Sequence, residues 1–415
     1  MRFVSRTSRN IARTIVAVAL VMLILLVLAW RPATEPIEPP AASLFDSALI
    51  RRGAELAALG DCATCHTAPG HPTFAGGRAI PTPFGTIYST NITPDPTTGI
   101  GRWSQGAFAR ALREGIDRQG RHLFPAFPYN HFTLLSDHDI AALYAFFMTR
   151  PPAQAPAPSN DLPFPLRFRP LLAGWKLLFF REGRYRGHDP GAYLAEGIGH
   201  CGACHTPRNA LGAEKADQHF NGGDAEGWHA YALNSGSQVA TPWNAEAMEF
   251  YLRNGWQAAH GVAHGAMAAV TEGMRGASEE DMRAVAGYVV AAQASPARGA
   301  ITPVNAQASP ITNNEGARIY TAACASCHDA GQPLPFGAIN LSLSTDVSGE
   351  DPTNLIHIVR DGLQPADETR QPEMPGFRKT LSDPQLLSLL SYLRTRFAHK
   401  PLWPDADAIV RRNTR

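Results

Sequence analysis

Cysteine and histidine recur together three times in this sequence, each time with the spacing Cys-x-x-Cys-His. The copies span 62–66, 201–205 and 324–328. This pattern is typical of covalent c-type haem attachment, in which two thiols bond the haem vinyl groups and the adjacent imidazole ligates iron. On a helix the three side chains share one face. We therefore expect three covalently attached haem c groups, held by Cys62, Cys65, Cys201, Cys204, Cys324 and Cys327, with His66, His205 and His328 as iron ligands.

A bare Cys-x-x-Cys is also compatible with a redox dithiol or with half of a zinc site. Here each pair is followed directly by histidine, and the three motifs use all six cysteines of the chain. Haem attachment is therefore favoured over both alternatives. The 37 basic and 36 acidic residues nearly balance, so nothing in the charge indicates a nucleic-acid partner.

Two methionines stand at the same distance from a repeated Arg-x-Gly sequence. Met267 lies twelve residues after Gly255, and Met374 lies twelve residues after Gly362. We expect both in an irregular loop, as second axial ligands of the second and third irons, because His/Met ligation is common in cytochromes and raises the reduction potential. The alternative is core packing, for which Met248, Met274 and Met282 compete with Met267 in the second unit.

The first unit departs from this rule, because the corresponding position is Phe127, which cannot bind iron. His131 is the nearest candidate on the same segment, and we expect it to ligate the first iron. Two alternatives stay open: ligation by His122, or an iron that is five-coordinate or otherwise ligated. A histidine would give this haem a lower potential than the two His/Met haems.

Each motif is expected to lie between helices that repeat from unit to unit. A short helix begins eight to ten residues before each motif, at Gly53, Gly191 and Gly316. A middle helix ends at the Arg-x-Gly glycine, Gly115, Gly255 or Gly362, because glycine after the last periodic residue is a helix-stop signal. Closing helices are predicted over 136–148, 278–291 and 382–397, with Tyr144, Tyr288 and Tyr392 at matching places, each packed against an early glycine.

The N-terminal segment has the composition of a membrane-inserting sequence. An apolar run from Thr14 to Trp30 follows four arginines, and few charges follow it. The run is long enough to span a bilayer, and the positive-inside rule then places the rest of the chain outside the cytoplasm, in the periplasm of a bacterium. A cleaved signal peptide is the alternative.

Several segments between and beside the motifs are similar to a known family. They are Phe84-Gly-Thr-Ile-Tyr-Ser-Thr-Asn-Ile-Thr-Pro-Asp95, Thr98-Gly-Ile-Gly-Arg-Trp103 and Cys204-His-Thr-Pro-Arg-Asn209. They resemble the membrane-bound trihaem cytochrome c subunits of bacterial alcohol, gluconate and aldehyde dehydrogenases. The first-domain loop, Pro125-Ala-Phe-Pro-Tyr129, is more similar to the branch that accompanies the molybdenum hydroxylases, the aldehyde, nicotinate and isoquinoline dehydrogenases.

The resemblance implies an electron-transfer subunit with no catalytic residues of its own. A catalytic subunit, either a molybdopterin protein with an iron–sulfur partner or a quinoprotein, would oxidise the substrate, and the haems would pass electrons to ubiquinone or another respiratory acceptor. The protein would lie at the inner membrane with its haem domains on the periplasmic side. Two other functions stay open: a peroxidase-like haem enzyme using an open site at the first haem, and a haem-bearing oxidase subunit or tethered carrier.

The expected fold is all-α, with three tandem cytochrome c domains behind one N-terminal transmembrane helix. The predicted divisions are a membrane anchor and linker at 1–44, the first domain at 45–150, a Pro-rich and apolar connector at 151–180, the second domain at 181–297, a linker at 298–312, the third domain at 313–400 and a tail at 401–415.

Overall fold

The computed structural model describes residues 10, 13–17, 20, 26, 27, 29–294, 314–335, 337–363 and 373–412. The chain forms two compact units. One comprises residues 1–53 and 65–185, and the other comprises residues 54–64 and 186–415. The finer division into a first domain at 45–150, a second at 181–297 and a third at 313–400 stays a prediction.

The same set of helices recurs around each motif. The opening helices are Ser47–Leu59, Pro190–Glu196 and Glu315–Ala323, and the motif helices are Cys62–His66, Gly202–His205 and Ala325–His328. The middle helices are Gln105–Glu114, Ala245–Asn254 and Thr353–Asp361, and the closing helices are Asp137–Met148, Glu279–Gln293 and Asp383–Leu393. Further helices are Tyr129–Phe132, Leu171–Phe179, Ala266–Met274, Thr345–Ser348 and Ala406–Arg412, with 3₁₀ turns at Ala42–Leu44, Ala216–Gln218 and Leu341–Leu343 and a π-helical turn at Arg394–Ala398.

The prediction of an all-α fold is wrong, because three short antiparallel hairpins accompany the helices in the described part of the chain. They pair Ala79–Thr82 with Gly85–Tyr88, Gly223–Ala225 with Trp228–Ala230, and Trp256–Gln257 with Gly261–Val262. A glycine with positive φ stands at or beside the turn of each: Gly85 at 122°, Gly227 at 83° and Gly261 at 91°. Such backbone angles suit glycine and allow the chain to reverse within a few residues. Strands of two to four residues are too short for a periodic hydrophobic pattern to reveal.

The prediction of an N-terminal transmembrane helix is also corrected. In the portion of the chain that the structure describes, no helix has both the length and the apolar character needed to cross a bilayer. Part of the apolar run between Thr14 and Trp30 lies outside the described residues.

The predicted helix ends are confirmed where local chemistry sets them. Ser136, Ser278 and Ser382 cap the three closing helices, each accepting a hydrogen bond from the backbone N–H three residues later. A serine cap satisfies a donor that the first turn leaves unpaired and stabilises the helix by about 1 kcal/mol. At the other end, Gly115 and Gly255 end their middle helices in the left-handed conformation.

The predicted contact between early glycines and tyrosines is correct in two domains and wrong in the first. A Cβ on Gly316 would lie 2.8 Å from the Cβ of Tyr392, so the glycine is what allows the two helices to touch. In the first domain the side chain nearest a Cβ on Gly53 is that of Phe146, at 2.7 Å, and not Tyr144. The hydroxyl of Tyr144 instead donates to the carbonyl oxygen of Trp103. Phe146 stands ten residues after its serine cap, as Tyr392 does, whereas Tyr144 stands eight residues after it.

Residues 401–412, within the predicted tail, pack into the core of the third domain. Trp403, Ile409 and Val410 are buried together with residues of the opening and closing helices. The guanidinium of Arg394 lies 3.8 Å from the centre of the Trp403 ring and donates to the carbonyl oxygen of Gly349. This segment therefore covers one side of the domain that carries the third motif.

Candidate functional site

The histidine of each Cys-x-x-Cys-His motif makes the same kind of hydrogen bond. Nδ1 of His66 lies 2.6 Å from the carbonyl oxygen of Thr90, and Nδ1 of His205 lies 2.6 Å from that of Tyr231. Nδ1 of His328 lies 3.2 Å from the carbonyl oxygen of a third residue, Ile339. A carbonyl only accepts, so in each case Nδ1 carries the proton.

This bond fixes the tautomer that an iron ligand needs. With the proton on Nδ1, the lone pair of Nε2 is free to bind metal, and ligating histidines commonly donate their other N–H in this way. Burial lowers the pKa of His66, His205 and His328, while the backbone acceptor partly raises it. The neutral imidazole, which is the ligating form, is therefore favoured at all three motifs.

No sequence pattern predicts the three carbonyl acceptors. Thr90 lies in the segment 84–95, whose resemblance to the family does not indicate this contact. Asn91 and Thr93 next to it are buried, and Asn91 Nδ2 donates to the carbonyl oxygen of Ala153 at 2.6 Å. The side chains of this segment thus hold the backbone so that the Thr90 carbonyl faces His66. A backbone acceptor leaves no residue type for sequence reasoning to detect.

The surroundings of two of the thiols do not suit a redox dithiol. Among the six thiols, those of Cys65 and Cys327 are exposed. Burial raises the pKa of Cys201 to about 12 and that of Cys324 to about 11. Thiol–disulfide catalysts work in the opposite way, since they depend on a lowered thiol pKa. The surroundings of these two thiols therefore argue against the dithiol alternative.

The third motif opens onto a cavity that also contains Met374. The cavity measures about 510 Å³ and is lined by Cys324, Cys327, His328 and Met374, with apolar side chains that include Leu355 and Leu389. A mainly apolar cavity of this size with a few placed donor groups is typical of a cofactor site. Backbone hydrogen bonds in both directions between Met374 and Leu363 hold the methionine at the wall. The donor set and the cavity fit a haem with His/Met ligation, which stays a prediction.

Met267 lies in a different local structure from the one expected. It is the second residue of the helix Ala266–Met274 and not part of an irregular loop. The helix begins after Gly265, whose φ of 56° and ψ of −137° turn the chain sharply. Of its competitors, Met248, Met274 and Met282 are buried, whereas Met267 is only partly buried. Core packing therefore accounts for the competitors, and ligation by Met267 stays a prediction.

The two candidate histidines of the first domain lie in different local surroundings. His122 is buried, and its Nε2 lies 2.8 Å from the carbonyl oxygen of Ala29. His131 is also buried, within the short helix Tyr129–Phe132. Phe127 is partly buried and packs edge-on against Phe132, with ring centres 5.3 Å apart. One ring nitrogen of His122 is thus hydrogen-bonded to a backbone carbonyl, as in the motif histidines, so this contact does not decide between the two residues. Ligation of the first iron by His131 stays a prediction.

Comparison with known proteins gives matches, over most of the chain, to subunits of dehydrogenase complexes. The gluconate 2-dehydrogenase cytochrome c subunit of Pantoea cypripedii is 37% identical over 379 residues, which cover 84% of this chain and 86% of that protein. The cytochrome c subunit of the quinone-type alcohol dehydrogenase of Gluconobacter oxydans is 37% identical over 382 residues, or 84% of this chain and 78% of that protein. The family model of subunit III of cbb3-type cytochrome c oxidase matches residues 312–393.

A third relative is more similar but much longer. This relative, one of the subunits of the nicotinate dehydrogenase of Pseudomonas putida, is 44% identical over 389 residues, which make up 91% of this chain. The match covers 33% of that protein, so this chain spans about a third of its length. Its similarity applies to the matched part alone.

Proposed function

Because the chain belongs to the family of dehydrogenase cytochrome c subunits, we propose that it carries three covalent haems that pass electrons from a dehydrogenase catalytic subunit to ubiquinone or another respiratory acceptor. Membership of this family supports the role of an electron-transfer subunit of the cytochrome c type. The number of haems, the acceptor and the axial ligands are our inferences. The haem supplies the electron chemistry, and this chain supplies attachment, ligation and surroundings.

The observation that carries the proposal is the repeated hydrogen bond at the three motifs. His66, His205 and His328 each have Nδ1 at a backbone carbonyl, which leaves Nε2 for iron. A structural histidine has no reason to recur with this geometry beside two cysteines in each domain. We infer that each motif binds one haem.

The number of haems bound per chain tests this inference directly. The alkaline pyridine spectrum and the intact mass of the purified chain should both give three haems per chain. Replacing Cys201 and Cys204 together by Ala should lower the content to two, while Met282→Ala, at a buried methionine of the same domain, should leave three. A wild-type chain that carries fewer than three haems would reject the proposed count.

The catalytic partner is proposed from the relatives. The 44% identity to the nicotinate dehydrogenase subunit favours a molybdenum hydroxylase, with molybdopterin and iron–sulfur groups, over a quinoprotein. The Pro125–Tyr129 loop supports the same branch. Co-purification of the complex followed by metal analysis distinguishes the two: molybdenum supports this branch, and a quinone cofactor without molybdenum contradicts it.

The electron acceptor and the cellular location of the chain are proposed from its role in respiratory electron transfer. We propose a periplasmic position for the haem domains, which the arginine-rich, apolar N-terminal sequence favours. Rapid mixing of the reduced complex with a short-chain ubiquinone should oxidise the haems within the turnover time of the complex. If ubiquinone does not oxidise the haems and a soluble cytochrome does, the acceptor is a soluble cytochrome and not ubiquinone.

The match to an oxidase subunit family favours a second candidate, a haem-bearing oxidase subunit. That match covers residues 312–393, whereas the dehydrogenase subunits match most of the chain. A copper–haem catalytic subunit in the purified complex would support the oxidase alternative.

A further inference from the structure

One carboxylate of the third domain contacts two segments of the second domain. The hydroxyl of Tyr231 donates to Oδ1 of Asp346 over 2.5 Å, and Nε2 of His264 lies 3.5 Å from the same oxygen. Asp346 lies in the short helix Thr345–Ser348. The side chains of Asp346 and His264 are only 16% and 14% exposed. Polar contacts so shielded from water are stronger and more specific than those on an open surface.

The two segments that meet Asp346 are those on which the second iron site depends. The carbonyl oxygen of Tyr231 accepts the Nδ1 proton of His205, the histidine of the second motif. His264 lies three residues before Met267, the expected ligand on the opposite side of that iron, and the backbone N–H of Met267 donates to the carbonyl oxygen of His264. A single side chain of the third domain is therefore connected to both sides of the site in the second.

The same region of the second domain also reaches the third motif. His260, Gly261, Val262 and His264 line the 510 Å³ cavity that contains His328. These residues belong to the hairpin Trp256–Gln257 and Gly261–Val262 and to the turn that follows it. The wall of the third cofactor site is thus made partly by the domain that carries the second.

Two further contacts fix the relative position of these domains. Asn354, which is 1% exposed, accepts from the backbone N–H of His229 and donates to its carbonyl oxygen, both over 2.9 Å. The Trp228 ring contacts the imidazoles of both His264 and His357, with ring centres 5.2 and 4.7 Å away. A Cβ on Gly265 would come within 2.4 Å of the Trp228 indole, so only glycine permits this packing.

We propose that Asp346 is a positioning residue that holds the second and third haem domains in one geometry and thereby sets the rate of electron exchange between their irons. In that exchange one iron is oxidised as the other is reduced, with no further reactant. The proposal rests on the proposed haem sites. Groups that must react over a fixed separation depend on a supporting shell that holds them within a fraction of an ångström.

The test uses the full chain with its haems. Intramolecular electron exchange between the second and third haems is followed after rapid photochemical reduction, and the magnetic interaction between the two ferric irons is measured by electron paramagnetic resonance. In Asp346→Ala the exchange rate should fall by about tenfold, because small misplacements cost that much or more. The magnetic interaction should weaken, and the haem content should not change.

Tyr231→Phe is the second variant. It removes the hydroxyl that reaches Asp346 but keeps the backbone carbonyl that orients His205, so it tests the connection even if Asp346→Ala fails to fold. Its exchange rate should also fall. The matched control is Asp407→Ala, which removes an exposed acidic side chain paired with Arg411 on the C-terminal helix. That control should behave as the wild type.

The outcomes separate this proposal from the proposed function. Wild-type exchange rates and magnetic interaction in Tyr231→Phe, and in Asp346→Ala where it folds, would overturn the role of Asp346 while leaving the haem relay in place. A wild-type chain without haems at the second and third motifs would instead overturn the proposed function, on the haem count alone.

Discussion

Gly191 and Tyr288 pack so closely that the glycine has no room for a side chain. A Cβ on Gly191 would lie 2.8 Å from the Cβ of Tyr288 and 2.2 Å from the carbonyl oxygen of Ala284. The same relation joins Gly316 to Tyr392 in the third domain. The opening and closing helices of the second and third domains thus meet at a glycine, and this contact positions the motif that follows the opening helix.

Gly191→Ala should therefore destabilise the protein. The added methyl group meets the rigid backbone of the closing helix, and overpacking of this kind costs about 1–3 kcal/mol. The matched control is Gly287→Ala, on the closing helix of the same domain, where an added Cβ meets nothing within 4 Å. Alanine in an open helical position should stabilise by about 0.5–1 kcal/mol. Thermal unfolding of the two variants should shift in opposite directions, and equal shifts would contradict the packing argument.

Sequence signals that act within a few residues predict much of this fold. Contacts between residues that are distant in the sequence cannot be predicted in this way. Ser136 and Gly115 mark helix ends because their effect acts within one turn of the chain. The Thr90 carbonyl that orients His66 lies 24 residues away and carries no side-chain signature. The packing of Trp403 into the third-domain core likewise depends on residues distant in sequence.

The candidate site residues also differ in how well the sequence predicts them. The cysteines and histidines of the motifs are readable because their spacing is local. The offset that singled out Met267 and Met374 gave the same number in two domains, yet the structure places one in a helix and the other in a bridged loop. Equal spacing therefore does not establish equal local structure, and ligation needs its own test.

Removing either of the two proposed methionine ligands should change the iron spectrum and the reduction potential. In Met267→Ala and Met374→Ala, one haem should lose the weak far-red absorption that a sulfur–iron bond gives, and its reduction potential should fall, because Met ligation raises it. Met282→Ala is the control, since this fully buried methionine lies on the closing helix. It should lose about 2–5 kcal/mol of stability but keep both sulfur–iron bands. A variant at 267 or 374 with an unchanged spectrum would remove that residue from the ligand set.

The two histidines of the first domain can be separated in one experiment. His131→Ala should convert the first haem from a low-spin to a high-spin ferric spectrum, because it takes away the proposed sixth ligand. His122→Ala should leave that spectrum unchanged, because His131 and not His122 is the proposed sixth ligand. The reverse pattern would assign the iron to His122, and two unchanged spectra would support an iron without a histidine sixth ligand.

Lys176 should make the stability of the first unit depend on pH. Its ammonium is buried against the middle helix and donates to the carbonyl oxygens of Glu114 and Gly115 over 2.5 and 2.7 Å. Burial lowers the pKa of Lys176 to about 7, although the nearby carboxylates of Glu114 and Glu182 oppose the shift. The unfolded lysine has a pKa of about 10.4.

Between about pH 7 and pH 10.4 the unfolded chain therefore binds one more proton than the folded chain, and stability rises with pH in that window. The slope from this group is about 1.4 kcal/mol per pH unit. Lys176→Met removes the titration while keeping an unbranched side chain of similar length. The free energy of unfolding, measured with urea from pH 6 to pH 10, should rise more steeply in the wild type than in the variant. Parallel curves would show that the lysine stays charged in the folded protein throughout this range.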